Sequence, residues 1–112
     1  MSTSPTGKLL LDICEHTAVI TINNPPANTW DAESLIGLRQ IVSELNANRD
    51  IYALVITGSG DKFFSAGADL KMFASGDKAV AQDIGLKFGQ AFEALADFRG
   101  VSIAAVNGFA MG

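Results

Sequence analysis

Two stretches of the chain carry the residue types that main-chain chemistry needs. One is Phe63-Phe64-Ser65-Ala66-Gly67-Ala68-Asp69-Leu70-Lys71-Met72-Phe73, and the other is Ala104-Ala105-Val106-Asn107-Gly108-Phe109-Ala110-Met111-Gly112. Each sets small residues directly after an expected strand and directly before an expected helix. Where side-chain bulk is missing, backbone N–H groups can come close to a ligand and hold a developing negative charge. Two such turns in one chain point to a split oxyanion hole made of main chain. In the first, Asp69 is placed to cap a helix opening at Leu70, which leaves the Ala68 N–H free to face outward. In the second, Asn107-Gly108 ends a strand, and a helix starting at Phe109 would turn its positive end toward the same cleft. A tight connection or a glycine-rich helix packed on a strand would use the same small residues. Finding both turns after similar strands favours the oxyanion reading.

Several elements must position these turns. Lys8–Ile13 and Thr17–Asn23 are apolar, β-branched runs joined by Cys14-Glu15-His16, the pattern of a hairpin. The only histidine, His16, falls in that turn as a solvated residue. Asn24-Pro25-Pro26-Ala27-Asn28 cannot extend a strand, since two prolines remove two N–H donors. A helix follows, capped by Asn28 or Thr29, with Asp31 and Glu33 in its first turn and Leu35, Leu38, Ile41, Val42 and Leu45 as its buried stripe. Tyr52–Thr57 reads as a strand covered on both faces, ended by Gly58-Ser59-Gly60-Asp61.

A short helix is expected around Leu70–Ala74, and a longer one from about Lys78 to Phe98. On the longer helix Val80, Ile84, Phe88, Phe92, Leu95 and Phe98 share one side, and Gly85 and Gly89 weaken it or admit a close backbone. Val101–Val106 is a further buried strand, and Phe109 onward a helix. The order β-β-α-β-α-β defines an α/β unit, in which ligands gather at the carboxyl ends of strands, where both turns lie.

Composition narrows the function classes. The 112 residues make at most one domain: residues 1–7 as a disordered lead-in and 8–112 as the folded part. A net charge of −4 argues against nucleic acid, which needs a basic face, but leaves a small anionic ligand open. Cys14 is the only cysteine, so no internal disulfide forms, and a reducing, cytoplasmic setting fits. No apolar run approaches the roughly 18 residues that a membrane span requires. A nucleotide site at Gly58-Ser59-Gly60 lacks the Gly-Lys-Ser/Thr of a P-loop.

Asn24–Asn28, Phe63–Phe73 with its Ala-Gly-Ala-Asp-Leu core, and Ala104–Gly112 occur here in an order and spacing that resembles the crotonase (enoyl-CoA hydratase/isomerase) superfamily from Lys8 onward. The resemblance implies an α/β fold with a crotonase-like ββα spiral core, of which this chain is the N-terminal part. It implies an acyl-CoA thioester substrate, with Ala68 as the first oxyanion donor, and no cofactor apart from the coenzyme A that the substrate carries. Ala66 and Leu70 would meet the adenine through their main chain, Ala27 would line the pantetheine path, and Lys62 and Lys71 are cations within reach of phosphates. The second donor would be the glycine after the position matching Gly112, with catalytic glutamates and a pocket-closing helical segment further on. The parent would be a homotrimer or a dimer of trimers. Hydration of a 2-enoyl-CoA is the leading expectation. Δ3,Δ2-enoyl-CoA isomerisation, another crotonase reaction, and non-catalytic CoA binding are the alternatives.

Overall fold

The computed structural model describes residues 4–69, 71 and 76–111. β1 (Leu9–Cys14) and β2 (Thr17–Ile22) form the expected antiparallel hairpin, with Leu9 opposite Ile22 and Cys14 opposite Thr17. In its turn His16 stacks on Tyr52 with ring centroids 4.3 Å apart, and its Nδ1 lies 2.7 Å from the Asp50 carbonyl oxygen. α1 (Ala32–Ala47) then crosses to β3 (Ala53–Gly58), which pairs parallel to β2. β4 (Phe63–Ser65), α2 (Lys78–Ala96), β5 (Val101–Ala104) and β6 (Phe109–Ala110) follow. β1-β2-β3-β5 make one sheet, and β4 and β6 a separate parallel pair.

Alternation along the strands puts Leu9, Ala18, Ile20, Ile22, Leu54 and Ile56 in the core. α1 meets them with Leu35, Leu38, Ile41, Val42 and Leu45, all buried, which is the stripe that the helical spacing predicts. Each such side chain stabilises the fold by about 1.5–3 kcal/mol when fully buried.

The cap of α1 differs from the expectation. Asp31, rather than Asn28 or Thr29, is the N-cap: its carboxylate accepts the Ser34 N–H at 2.9 Å, and the Ser34 hydroxyl accepts the Asp31 N–H at 2.9 Å. The Lys8 ammonium bonds the same carboxylate, and the Thr6 hydroxyl donates to Glu33. Burial alone would raise the Asp31 pKa, but the bonds from Lys8 and Ser34 outweigh it and hold the group below the usual carboxylate range. The Asp31 hydrogen bond in turn raises Lys8 above its ordinary value. Residues 4–7 form a hydrogen-bonded turn against α1, and residues 1–3 lie outside the described residues.

Other expectations shift for reasons of packing. β3 alternates buried and half-buried residues instead of being covered on both faces. β5, expected to be buried, is exposed along its length, because it is the last strand of the sheet and nothing among the described residues covers it. α2 buries Ile84 and Ala91, while Val80 and Phe92 stay exposed. At Gly85 and Gly89 no neighbour stands close, so neither admits a packed backbone. Cys14 is exposed at the end of an edge strand. Among the described residues, no helix is long and apolar enough to cross a membrane. Of the helix expected at Leu70–Ala74, only Lys71 is described.

The segment from Phe109 is a strand, not a helix. Its Phe109 N–H donates to the Lys62 carbonyl at 3.0 Å and its Met111 N–H to the Ser65 carbonyl at 2.9 Å. A helix would leave those N–H groups unpaired at its first turn; the parallel ladder with β4 takes them up. β4 itself replaces what reads in the sequence as the beginning of a turn.

Candidate active site

The first turn is built around Asn28. This residue is 1% exposed, and its φ of 54° is a conformation that asparagine tolerates better than most L residues. Its amide oxygen accepts from the Asn24 N–H (3.1 Å) and the Ser59 hydroxyl (3.2 Å). Its amide nitrogen donates to the Ser59 and Phe63 carbonyls, both at 3.1 Å. The Asn28 carbonyl accepts the Ser65 hydroxyl at 2.7 Å, and that hydroxyl accepts the Gly67 N–H at 3.1 Å. So engaged, Asn28 has no side-chain atom left to cap α1.

Two strand-like contacts then fix the turn. The Ala66 N–H donates to the Ala27 carbonyl at 2.9 Å, which joins two of the predicted substrate-binding residues directly. Trp30 and Ala68 form a parallel bridge: the Trp30 N–H donates to the Gly67 carbonyl (2.8 Å), and the Asp69 N–H donates to the Trp30 carbonyl (2.9 Å). In extended backbone, consecutive residues aim their N–H and C=O to opposite sides. With Gly67 and Asp69 turned toward Trp30, the Ala68 N–H is turned away from it, and it has no hydrogen-bond partner among the described residues. Gly67, with φ 90°, lets the chain change direction just before it. Asp69 accepts the Lys71 N–H at 3.0 Å, and the helix that it is expected to cap lies outside the described residues. Leu70 lies outside the described residues.

The second turn is held by Asn107. Its amide oxygen accepts from the Gly58 N–H (3.0 Å) and the Thr57 hydroxyl (3.3 Å), and its nitrogen donates to the Gly60 (3.1 Å) and Phe63 (3.3 Å) carbonyls. Gly108 is required by closeness: a Cβ there would stand 2.2 Å from the Lys62 carbonyl oxygen. The Lys62 ammonium itself lies over the Phe63 ring, 5.7 Å from its centroid.

Both turns open onto one cavity of about 540 Å³. Gly67 and Ala68 line it from the first turn, Ala110 and Met111 from the second, and Trp30, Phe88 and Phe92 supply aromatic surface. No titratable side chain is among its described lining residues. Among the described residues no group of three His, Cys, Asp or Glu could hold a metal ion. The arrangement can polarise an oxygen through main chain, but its described lining residues offer no acid or base.

The structure thus brings Ala27, Ala66 and Ala68 together. Sequence reading misses Asn28, Ser65, Trp30 and Asn107 as the residues that hold them. The available signal was an asparagine two residues after a Pro-Pro pair, a setting for left-handed backbone as much as for a cap.

With this geometry in hand, the fold and the two turns define a class. The sequence model described as enoyl-CoA hydratase/isomerase matches residues 12–112, and the chain belongs to that family. The solved structure of DspI from Pseudomonas aeruginosa is 67% identical with a TM-score of 0.96, covering 99% of this chain and 46% of that one. The crotonyl-CoA hydratase of Syntrophomonas wolfei is 35% identical over 105 residues, which are 93% of this chain and 40% of that protein. The short-chain-enoyl-CoA hydratase of Clostridium acetobutylicum is 33% identical over 107 residues, 95% of this chain and 41% of that protein. The chain spans less than half the length of these relatives.

Proposed function

We propose that the protein carrying this chain adds water across the double bond of a 2-enoyl-CoA to give a 3-hydroxyacyl-CoA. The observation that carries the reading is the Ala68 N–H, unpartnered among the described residues and on a turn that lines an apolar cavity. A thioester carbonyl placed against it would find a fixed donor where negative charge develops as the enolate forms. Because the described lining residues include no titratable group, proton transfer falls to the glutamates that the family resemblance implies. The hydratase names of the S. wolfei and C. acetobutylicum relatives support this chemistry.

The hydrogen bonds also sharpen the proposed roles. With its N–H given to Ala27, Ala66 has its carbonyl to offer the adenine amino group, which is a donor. Ala27, its carbonyl engaged, lines the pantetheine path by bulk alone. Leu70 takes the second main-chain contact to the adenine. Coenzyme A enters as part of the substrate, with no separate cofactor. A homotrimer or a dimer of trimers in the cytoplasm completes the reading.

Ala68→Pro deletes the one N–H at issue. In the full-length protein it should lower kcat for a short 2-enoyl-CoA by about 10²–10³, with KM changing far less. Turnover within about threefold of the parent, at unchanged circular dichroism, would remove Ala68 from the oxyanion site.

A further inference from the structure

Two neighbouring peptide units in the first turn carry the main-chain groups proposed to meet the substrate, and different partners hold them. The Ala66–Gly67 unit contains the Ala66 carbonyl, and the Gly67–Ala68 unit contains the Ala68 N–H. In a planar trans peptide the C=O and N–H point in opposite directions, so fixing one aims the other. The Trp30 N–H donates to the Gly67 carbonyl at 2.8 Å, which fixes the second unit through main chain alone. The first unit is fixed at its Gly67 N–H, and there the acceptor is a side chain, the Ser65 hydroxyl, at 3.1 Å. The Ala66 carbonyl is thereby turned away from Ser65, and it accepts no hydrogen bond from the described residues.

Nothing else in the turn holds that unit. The Ala66 N–H, bonded to the Ala27 carbonyl at 2.9 Å, fixes only the peptide unit before it. On the other side stands Gly67, with φ 90°, where glycine rotates at little steric cost. Ser65 is suited to the task. It is 5% exposed, and its hydroxyl proton is committed to the Asn28 carbonyl at 2.7 Å, which leaves its lone pairs for the Gly67 N–H. Its main chain is held as well: it pairs with Ala110, and its carbonyl accepts the Met111 N–H at 2.9 Å.

We infer that Ser65 is a positioning residue for recognition of the coenzyme's base: its hydroxyl, by holding the Gly67 N–H, aims the Ala66 carbonyl at an exocyclic amino group. The inference rests on the proposed adenine contact of Ala66. Without the hydroxyl, the Ala66–Gly67 unit turns between its held neighbours, and the carbonyl no longer meets the amino group in a fixed geometry. The base still enters, but the preference for an amino group is lost.

Isothermal titration of the full-length protein compares butyryl-CoA with the same thioester carrying purine in place of adenine, which lacks the amino group. One hydrogen bond is worth about three- to tenfold in affinity, so the parent should favour butyryl-CoA by that factor. In Ser65→Ala the preference should fall to within about twofold of parity, and Ser65→Thr, which keeps the hydroxyl, should retain it. Ser65→Cys keeps the volume but offers a weaker acceptor, and its preference should lie between the two. A ratio of two ligands on one variant cancels any unfolded fraction, so a role for Ser65 in stability alone would leave the ratio unmoved. A parental preference in both Ser65→Ala and Ser65→Cys would overturn the inference and leave the Ala66 contact standing. Equal binding of the two thioesters by the parent would overturn both. The expected pattern in a protein that hydrates no 2-enoyl-CoA would remove the proposed reaction and leave the role of Ser65.

Discussion

Asn28 and Asn107 present the same side chain to the same acceptor. Each donates to the Phe63 carbonyl, at 3.1 Å and 3.3 Å, and each uses its amide oxygen to hold one backbone N–H and one hydroxyl. Their surroundings differ. Asn28 is 1% exposed and sits in left-handed backbone, whereas Asn107 is only half buried and its neighbours form a short exposed strand. The first turn, which holds Ala68, is thus fixed by a dry network of side chains. The second is fixed by main-chain pairing to β4 with one amide as a clasp. A buried unsatisfied amide costs far more than one that water can reach, so the same truncation should read differently at the two sites.

That difference can be broken deliberately. The largest effect is expected for Asn28→Ala, which takes the Asn28 partner from the Ser59 carbonyl and hydroxyl and from the Asn24 N–H, and leaves the Phe63 carbonyl with Asn107 as its remaining amide donor. It should destabilise the protein by about 3 kcal/mol in urea unfolding and lower turnover through displacement of Ala68. Stability within about 0.5 kcal/mol of the parent would mean that the network is not what holds the turn.

Gly108→Ala comes next, at about 2 kcal/mol. Its new methyl must push β6 away from the Lys62 carbonyl, and the backbone there cannot swing aside as a side chain would. Asn107→Ala should cost about 1 kcal/mol, since water can replace part of what it bonds. Equal losses for Asn28→Ala and Asn107→Ala would erase the contrast between the turns.

The smallest effect lies away from both, at the start of α1, and it sharpens the comparison as a control. The folded pKa of Asp31 is depressed below its ordinary 3.8, so its contribution is present above that value and is lost as pH falls through the folded pKa. For Lys8 the folded pKa is raised above 10.5, so its contribution is present below 10.5 and is lost as pH rises through the raised value. Both groups keep some solvent, and each contribution should stay under about 1 kcal/mol. Asp31→Asn, which keeps a capping oxygen, should flatten the acid limb of the stability profile measured by urea unfolding between pH 5 and 2. An acid limb as steep as that of the parent would take Asp31 out of the linkage.

How much of this could be read from the residues depended on the range of the interactions. The hairpin, α1 with its Leu35–Leu45 stripe, the start of α2 and the small-residue turns all follow from patterns within a few positions, and all are present. The pairing of β4 with β6 does not. The two strands have three and two residues, too short for periodicity, and only their meeting makes either a strand. The Asn28 cap failed for a related reason. Asparagine suits a cap and a left-handed turn equally, and the choice was made by Ser59 and Phe63, far along the chain. Spacing puts Phe92 on one side of α2 with Ile84, Phe88 and Leu95. In the structure it is partly exposed and lines the cavity.

The β4–β6 pair also sets an order of events during folding. The hairpin and α1 can form from neighbours in sequence, but the clasp of Asn107 on Phe63 joins residues 44 positions apart. Closing a loop of that size costs chain entropy before any contact repays it, so such pairings tend to come late. The second turn, with Ala110 and Met111 on the cavity, would then take its setting only after β6 arrives, when the rest of the sheet already stands. The second side of the cleft is assembled late, on a sheet that already stands.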